Sequence, residues 1–362
     1  MSSSAPLSAP AIDLRRATYL AELAQGTERL QASRRESCPW CGGQRLRVRL
    51  TAPDVIQRKP GTFTLEECED CAHVFQNPGL TPEGAAFYHR DRDLYERPPS
   101  RRRHRERIRA MLHIPEPESW LDVGTGDADF PATAREFFPY TSFDGTDPTP
   151  RVLRARATER VEEAYVGHLI TPGLPARLRG RYDVVSVFHQ FELSPSPREE
   201  LRAAIAALRP GGHLVLELTD PRSAFAALLG KWWPGQAQPR QIHLLPLPNV
   251  HQALESHNCT ILTTDACAPH TPTDLATATT RALSHVIPAP DTPWRTTRPT
   301  VLQHTTRAVL TAATAPLRLA ATAADHTLAP LIRRSSFSNA YRVIARKNPL
   351  RQTGEPGPAA VR

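Results

Sequence analysis

Ser119-Trp120-Leu121-Asp122-Val123-Gly124-Thr125-Gly126-Asp127-Ala128-Asp129 is the stretch on which the fold turns. A run of strand character meets two glycines, and a helical pattern follows across 128–138. Glycine lets the chain turn abruptly and lets a ligand lie against bare backbone. The amides that open the helix then point at the ligand's polar end. A dinucleotide-binding fingerprint would place Gly or Ala at position 129, where this chain has Asp129, and Asp122 sits inside the strand ahead of the turn. Both features argue against a nicotinamide dehydrogenase.

Outward from that turn, strand and helix patterns alternate: TSFDGTD (141–147), a helix near 150–158, VEEAYV (161–166), YDVVSVF (182–188), a helix across 197–208 and HLVLEL (213–218). Such alternation predicts a parallel sheet with helices on both faces. A helix near 248–257, the strand CTILTT (259–264) and a last strand AYRVIA (340–345) complete it. Between those two strands, 268–335 is too long for a plain loop and Ala/Leu-rich enough for two or three helices. It is expected to be an inserted cap or an oligomerisation element, the latter giving a homodimer. Arg307, Arg318 and Asp325 argue against membrane insertion of this segment.

Toward the N-terminus, residues from Ile12 to about Ser33 carry apolar side chains at helical spacing. Next come two knuckles, Cys38-Pro-Trp-Cys41-Gly-Gly and Cys68-Glu-Asp-Cys71, 26 residues apart, with the alternating segments LRVRL (46–50) and TFTLEE (62–67) between them. Each Cys-x-x-Cys turn brings two thiolates to one point, and two such turns supply the four soft ligands that tetrahedral zinc takes. Four thiolates leave no open coordination position, so Cys38, Cys41, Cys68 and Cys71 are expected to hold a structural Zn2+. Cys259 and Cys267 read as core or loop residues. The expected division is a tail and helix over 1–36, a zinc ribbon over 37–78, an α/β core over 79–267, a helical insertion over 268–335, a last core strand over 336–347 and a disordered tail over 348–362.

The 362 residues can bury a full core, and 36 prolines foretell long loops. Six cysteines are far below disulfide-scaffold density, and no segment has the apolar length of a membrane span or the layout of a signal peptide. A cytoplasmic protein is expected. The net charge of +8 would suit an anionic partner, but much of it lies in the arginines at 101, 102, 103, 105, 107 and 109. That run lacks interleaved aromatics, so a solvated helix is expected there rather than a nucleic-acid site.

LDVGTGDADF (121–130) resembles the first motif of the class I S-adenosylmethionine-dependent methyltransferases, and the resemblance extends over about 80–347. SFDGTDPTPRVLRARA (142–157) is similar to the family's second strand with its terminal acidic residue, here Asp147. YDVVSVFHQFEL (182–193) looks like the fourth strand and its loop, and LRPGGHLVLEL (208–218) like the fifth strand and its lead-in. The zinc ribbon followed by NPGLTPEGAAFYHRDRDLY (77–95) resembles a bacterial subgroup that includes methyltransferases of deoxysugars in natural-product pathways. The resemblance implies a Rossmann-like class I methyltransferase sheet with S-adenosyl-L-methionine as donor and S-adenosyl-L-homocysteine as product. It assigns Asp122, Gly124, Thr125, Gly126, Asp147, Pro148, His168, Leu169 and Phe188 to donor binding. Two departures stand out: the subgroup often ends the fourth-strand loop in Glu-His where this chain has Glu192-Leu193, and YVGHLITP (165–172) has His168 where an acidic residue is common.

Methyl transfer from a sulfonium is an in-line displacement that needs alignment, and a base only when the nucleophile must lose a proton. The residues expected to carry it are His189 and Glu192 after the fourth strand, and His243 in PRQIHLLP (239–246). The acceptor is expected to be a small molecule, a natural-product or sugar-type intermediate. The competing reading is a non-catalytic zinc-ribbon adaptor that binds protein or nucleic acid. Donor binding separates the two.

Overall fold

The computed structural model describes residues 9–91 and 100–349. Most of the tail expected to be disordered at each end, and the linker residues 92–99, lie outside them. The N-terminal part contributes α1 (Ala9–Leu23), β1 (Leu46–Pro53), β2 (Thr62–Cys68), β3 (Val74–Gln76) and α2 (Pro82–His89). There follow α3 (Arg101–Arg109), β4 (Ser119–Val123), α4 (Asp129–Ala134), β5 (Ser142–Asp147), α5 (Arg151–Ala157), β6 (Ala164–Val166), α6 (Leu174–Leu178), β7 (Tyr182–Phe188), α7 (Pro197–Ala207) and β8 (Leu208–Thr219). The chain closes with α8 (Ala224–Leu229), β9 (His243–Leu244), α9 (Leu247–Ser256), β10 (Cys259–Asp265), α10 (Asp274–Val286), α11 (Val301–Ala313), α12 (Ala315–Ile332) and β11 (Ala340–Lys347).

The larger sheet has seven strands in the order β10-β11-β8-β7-β4-β5-β6. The parallel arrangement expected from the alternation holds from β8 through β6, but β11 runs antiparallel to both β8 and β10. Asp265 and Arg342 are register partners, so 266–339 leaves and re-enters at the same end of the sheet and the returning strand runs backwards. The strand order reverses between β4 and β7, which places a ligand crevice beyond their carboxyl ends.

Because successive strand residues face opposite sides, the central strands read as nearly continuous apolar runs. Leu121, Val123, Val185, Val187, Leu214 and Leu216 pack toward α7 and α9, in one cluster with Leu201, Val250 and Leu254. Trp120, Phe143, Val184, Val215 and Ile344 pack on the other face with Ile108 of α3 and Phe130 of α4. The first of these clusters also takes in Cys38, Trp40, Cys68 and Phe75, so the cysteine-bearing strands share apolar core with the larger sheet. Those strands form a smaller sheet, β1-β2-β3-β9, whose last strand comes from PRQIHLLP. No periodicity in the sequence announces a strand of two residues.

The arginine run departs from its expected solvated character. Ser100 caps α3 by accepting from the Arg103 amide, and the helix then drives one face into the protein. His104, Arg107 and Ile108 are buried, while Arg101 and Arg105 pair with Glu136 and Arg102 with Glu106. In the insertion, α11 buries none of its residues and leaves Val301, Leu302 and Val309 exposed. Among the described residues no helix is long and apolar enough to cross a membrane.

Candidate active site and metal centre

The turn after β4 is built as its glycines require. Gly124 and Gly126 have φ of +76° and +57°, and a Cβ on Gly124 would stand 2.5 Å from Gln190 Oε1. On Gly126 the nearest atom would be the Arg151 Nη2 end at 3.3 Å, so there the positive φ, more than lack of space, favours glycine. Ala128 adopts the same left-handed conformation, at φ +57°, where the β-carbon is tolerated at a cost of about 1 kcal/mol.

Asp147, at the end of β5, accepts from the Gly126 amide at 3.0 Å and from the Thr149 amide at 2.8 Å, and also from the Thr149 hydroxyl. It therefore ties the turn after β4 to the end of β5 and closes an Asx turn. The N-cap of α5 is Pro150 and has no side-chain cap. Asp122 is buried and accepts from the Ser186 hydroxyl at 2.6 Å; burial pushes its carboxyl up to about 6, against the pull of that hydrogen bond. Both ring nitrogens of His104, which packs against Phe130 at the start of α4, are buried with no hydrogen-bond partner among the described residues. Unpaired buried polar atoms are rare, and here they border the turn a polar ligand would occupy.

Of the other expected donor residues, Pro148 is exposed directly after Asp147, and His168 and Leu169 follow the edge strand β6. Glu200 of α7 holds that pair, with His168 Nδ1 3.1 Å from Oε1 and the Leu169 amide donating to Oε2 at 3.1 Å. Leu169 is itself in the core. Phe188 ends β7, with the Arg107 guanidinium 4.3 Å over its ring and Phe130 edge-on at 4.8 Å.

His189 follows directly, in a left-handed conformation (φ +56°) that a residue with a β-carbon adopts only when its surroundings enforce it. Its amide donates to the Glu217 carbonyl at 2.8 Å. Its ring lies between two fully buried carboxylates, Nδ1 3.1 Å from Glu192 and Nε2 3.4 Å from Glu217. Burial opposes the imidazolium, but the two carboxylates outweigh it and raise the pKa above the ordinary histidine value. Glu192 Oε1 also accepts from the Thr219 amide at 2.8 Å, which fixes the carboxylate across β7 and β8.

Glu217 is the residue that sequence reasoning passed over. Arg103, Arg107 and Arg342 converge on it at 2.7, 2.9 and 2.8 Å. Burial would raise its carboxyl, yet Arg107, His189 and Arg103 hold it well below the usual range. Two signals were available: a single carboxylate in the apolar strand HLVLEL, and arginines at i and i+4 in the run.

The four knuckle cysteines come together as their spacing implies. Their sulfurs lie within 4.8 Å of one another, with Cys41–Cys68 at 3.5 Å and Cys38–Cys71 at 3.7 Å. Ligands about 2.3 Å from a tetrahedral zinc stand about 3.8 Å apart, so the donor set fits that ion in both chemistry and span. A Cβ on Gly43 would meet Asp70 Oδ2 at 2.2 Å, so a larger residue there would have to displace the Asp70 side chain. His243 is placed here rather than beside His189. It sits on β9, buried, with Nδ1 3.1 Å from His73 Nε2, and His73 Nδ1 is 3.5 Å from Cys38 Sγ.

Residues 90–264 match a family described as a methyltransferase domain. This stretch is a methyltransferase domain. Its sheet is the Rossmann-like sheet of the class I enzymes, with the four-cysteine cluster preceding it and the helical insertion ahead of its last strand. A curated relative, the ubiquinone biosynthesis O-methyltransferase of Alkalilimnicola ehrlichii, is 27% identical over 126 residues, which are 34% of this chain. The chain spans 51% of that relative's length. Among solved structures, N-methyltransferase NodS of Bradyrhizobium japonicum, in complex with S-adenosyl-L-homocysteine, is similar at 15% identity and TM-score 0.37, over 69% of this chain and 87% of its own. An S-adenosylmethionine-dependent methyltransferase of Mesorhizobium loti is similar at 19% identity and TM-score 0.40, over 67% and 97%. The methyltransferase domain thus has its glycine turn, Asp147, His189 and Glu192 on the carboxyl ends of adjoining strands.

Proposed function

We propose that the protein transfers a methyl group from S-adenosyl-L-methionine to a small-molecule acceptor, a natural-product or sugar-type intermediate, with S-adenosyl-L-homocysteine as product. The observation that carries this reading is the joint placement of the bare-backbone turn at Gly124–Gly126 and the Asp147 carboxylate, inside a methyltransferase-family segment. The donor supplies an electrophilic methyl on a sulfonium. Gly124, Thr125 and Gly126 would receive its methionyl part, and Asp147, already accepting one hydroxyl, would receive the ribose. Asp122, Pro148, Phe188 and the His168–Leu169 segment complete the set assigned to donor binding.

His189 would take the acceptor's proton at Nε2 when the nucleophile is a hydroxyl, with Glu192 orienting the ring through Nδ1. The 3.4 Å contact of Nε2 to Glu217 is the longer of its two and the one to be exchanged for the acceptor. His243, first expected to share this chemistry, is assigned instead to holding β9 against the metal module. Cys38, Cys41, Cys68 and Cys71 would bind one structural Zn2+, and four thiolates suit a reducing cytoplasm.

Calorimetry with S-adenosyl-L-homocysteine tests the reading. The wild type is expected to bind, Gly126→Val to lose binding by blocking the backbone approach, and Asp147→Ala to bind at least about tenfold more weakly, with all three folded. Wild-type affinity in both variants would show that the donor lies elsewhere.

A further inference from the structure

Glu217 meets more donors than its two oxygens can use. On Oε1 alone converge Arg103 Nη2 at 2.7 Å, Arg107 Nη2 and Nε at 2.9 and 3.2 Å, and His189 Nε2 at 3.4 Å, while Arg103 also donates to the Pro269 carbonyl through Nη2 and to the Ala268 carbonyl through Nη1 at 3.3 Å. Arg342 takes Oε2 through Nη2 and Nε at 2.8 and 3.3 Å, while its Nη1 is buried with no partner among the described residues. A carboxylate offers about four lone-pair sites, two on each oxygen, so six N–H groups oversubscribe it.

Charge points the same way. Three guanidiniums and an imidazole are in direct contact with this network, and Glu217 and Glu192 are the carboxylates that face them, with Asp122 further along the sheet edge on β4. Surplus positive charge in a buried place is costly unless an anion answers it. A bound sulfonium would add to the surplus. Arg103 and His189 are the least buried cationic members, at 13% and 33% side-chain exposure, and they share the oxygen Oε1, so a ligand can reach both without breaking into the core.

We infer that Arg103, backed by Arg107 and Arg342, is an anion subsite for the methyl acceptor, which therefore carries an anionic oxygen group, a carboxylate or a phosphate, close to the methylated position. This rests on the methyltransferase reading and narrows its acceptor class. The Arg103 fork turns from the oversubscribed Oε1, and from the neutral Ala268 and Pro269 carbonyls it also meets, to the acceptor's anion, a charge-assisted pair, and leaves Arg107 and Arg342 to neutralise Glu217. His189 then stands beside the docked group, where a neighbouring hydroxyl can present its proton.

The test saturates the full-length protein with S-adenosyl-L-homocysteine and titrates acetate or inorganic phosphate at fixed ionic strength, followed by calorimetry. Saturable binding is expected, weakened at least about tenfold in Arg103→Gln and kept within about threefold in Arg103→Lys, with product affinity unchanged in both. If Arg103→Gln does not fold, the wild type and Arg103→Lys decide. Absence of saturation in a protein that binds the product overturns the subsite alone. Competition between the anion and the product overturns it too, by assigning the cluster to the donor's own carboxylate. Failure of the product itself to bind overturns the methyltransferase reading and this inference with it.

Discussion

Replacing Glu217 by glutamine would test the buried ion network at its centre. The side chain is fully buried and three guanidiniums lie within 2.9 Å of its oxygens, so the substitution keeps the shape and removes the charge they share. At an effective dielectric of about 20, each such contact is worth roughly 5 kcal/mol of Coulomb attraction, most of it offset by the desolvation already incurred. What remains after one partner is lost is the uncompensated burial of the others, about 3–5 kcal/mol. Against a total stability of about 5–15 kcal/mol this is a large fraction, readable as a shifted urea midpoint at constant slope. Its pH dependence has a definite sign. The folded-state pKa of Glu217 lies well below the unfolded value, so its stabilisation is complete above the unfolded value and disappears as pH falls through the folded one. Wild type and Glu217→Gln should therefore differ most near neutrality and converge in acid. A difference under about 1 kcal/mol at neutral pH, or one that persists unchanged into acid, would refute the charge-pairing argument.

Purified, reduced protein should carry one zinc per chain, and Cys41→Ser should release it and lower the melting temperature; metal-free wild type by elemental analysis would contradict the assignment. His189→Ala should lower turnover by roughly 10²–10⁴-fold at nearly constant product affinity, as removal of a general base does. Because the folded pKa of His189 is raised, the wild-type rate should climb with pH through a midpoint above about 6.5, and a flat profile would leave alignment as the whole of catalysis. Asp274 is pushed up to about 7 by burial, with Trp233 Nε1 donating at 2.7 Å and Asn339 Nδ2 at 2.6 Å. Its folded state holds a proton that the unfolded state has lost, so stability should fall as pH rises from about 4 to 7. Asp274→Asn should flatten that slope, and an equal slope in both proteins would exclude Asp274 as its source.

The sequence by itself determined the class of fold and marked out a glycine turn and a four-cysteine cluster. Alternating strand and helix patterns settle an α/β sheet because periodicity is a local property. The turn at Gly124–Gly126 and the two cysteine knuckles are legible because each needs residues a few positions apart: glycines that admit left-handed backbone, and thiols spaced to converge within one turn. Tertiary structure decided what long-range contact decides. The antiparallel course of β11 follows from where the insertion returns, and β9, two residues long, exists only because β3 offers an open edge to pair with. His243 looked eligible for chemistry because histidine is eligible anywhere near neutral pH, and pairing with β3 places it beside the four-cysteine cluster instead. The arginine run looked solvated because charge density is a local quantity. The destination of its buried members was set by a carboxylate more than 100 residues away, where Glu217 makes burial of Arg103 and Arg107 affordable and orders the ground on which His189 stands.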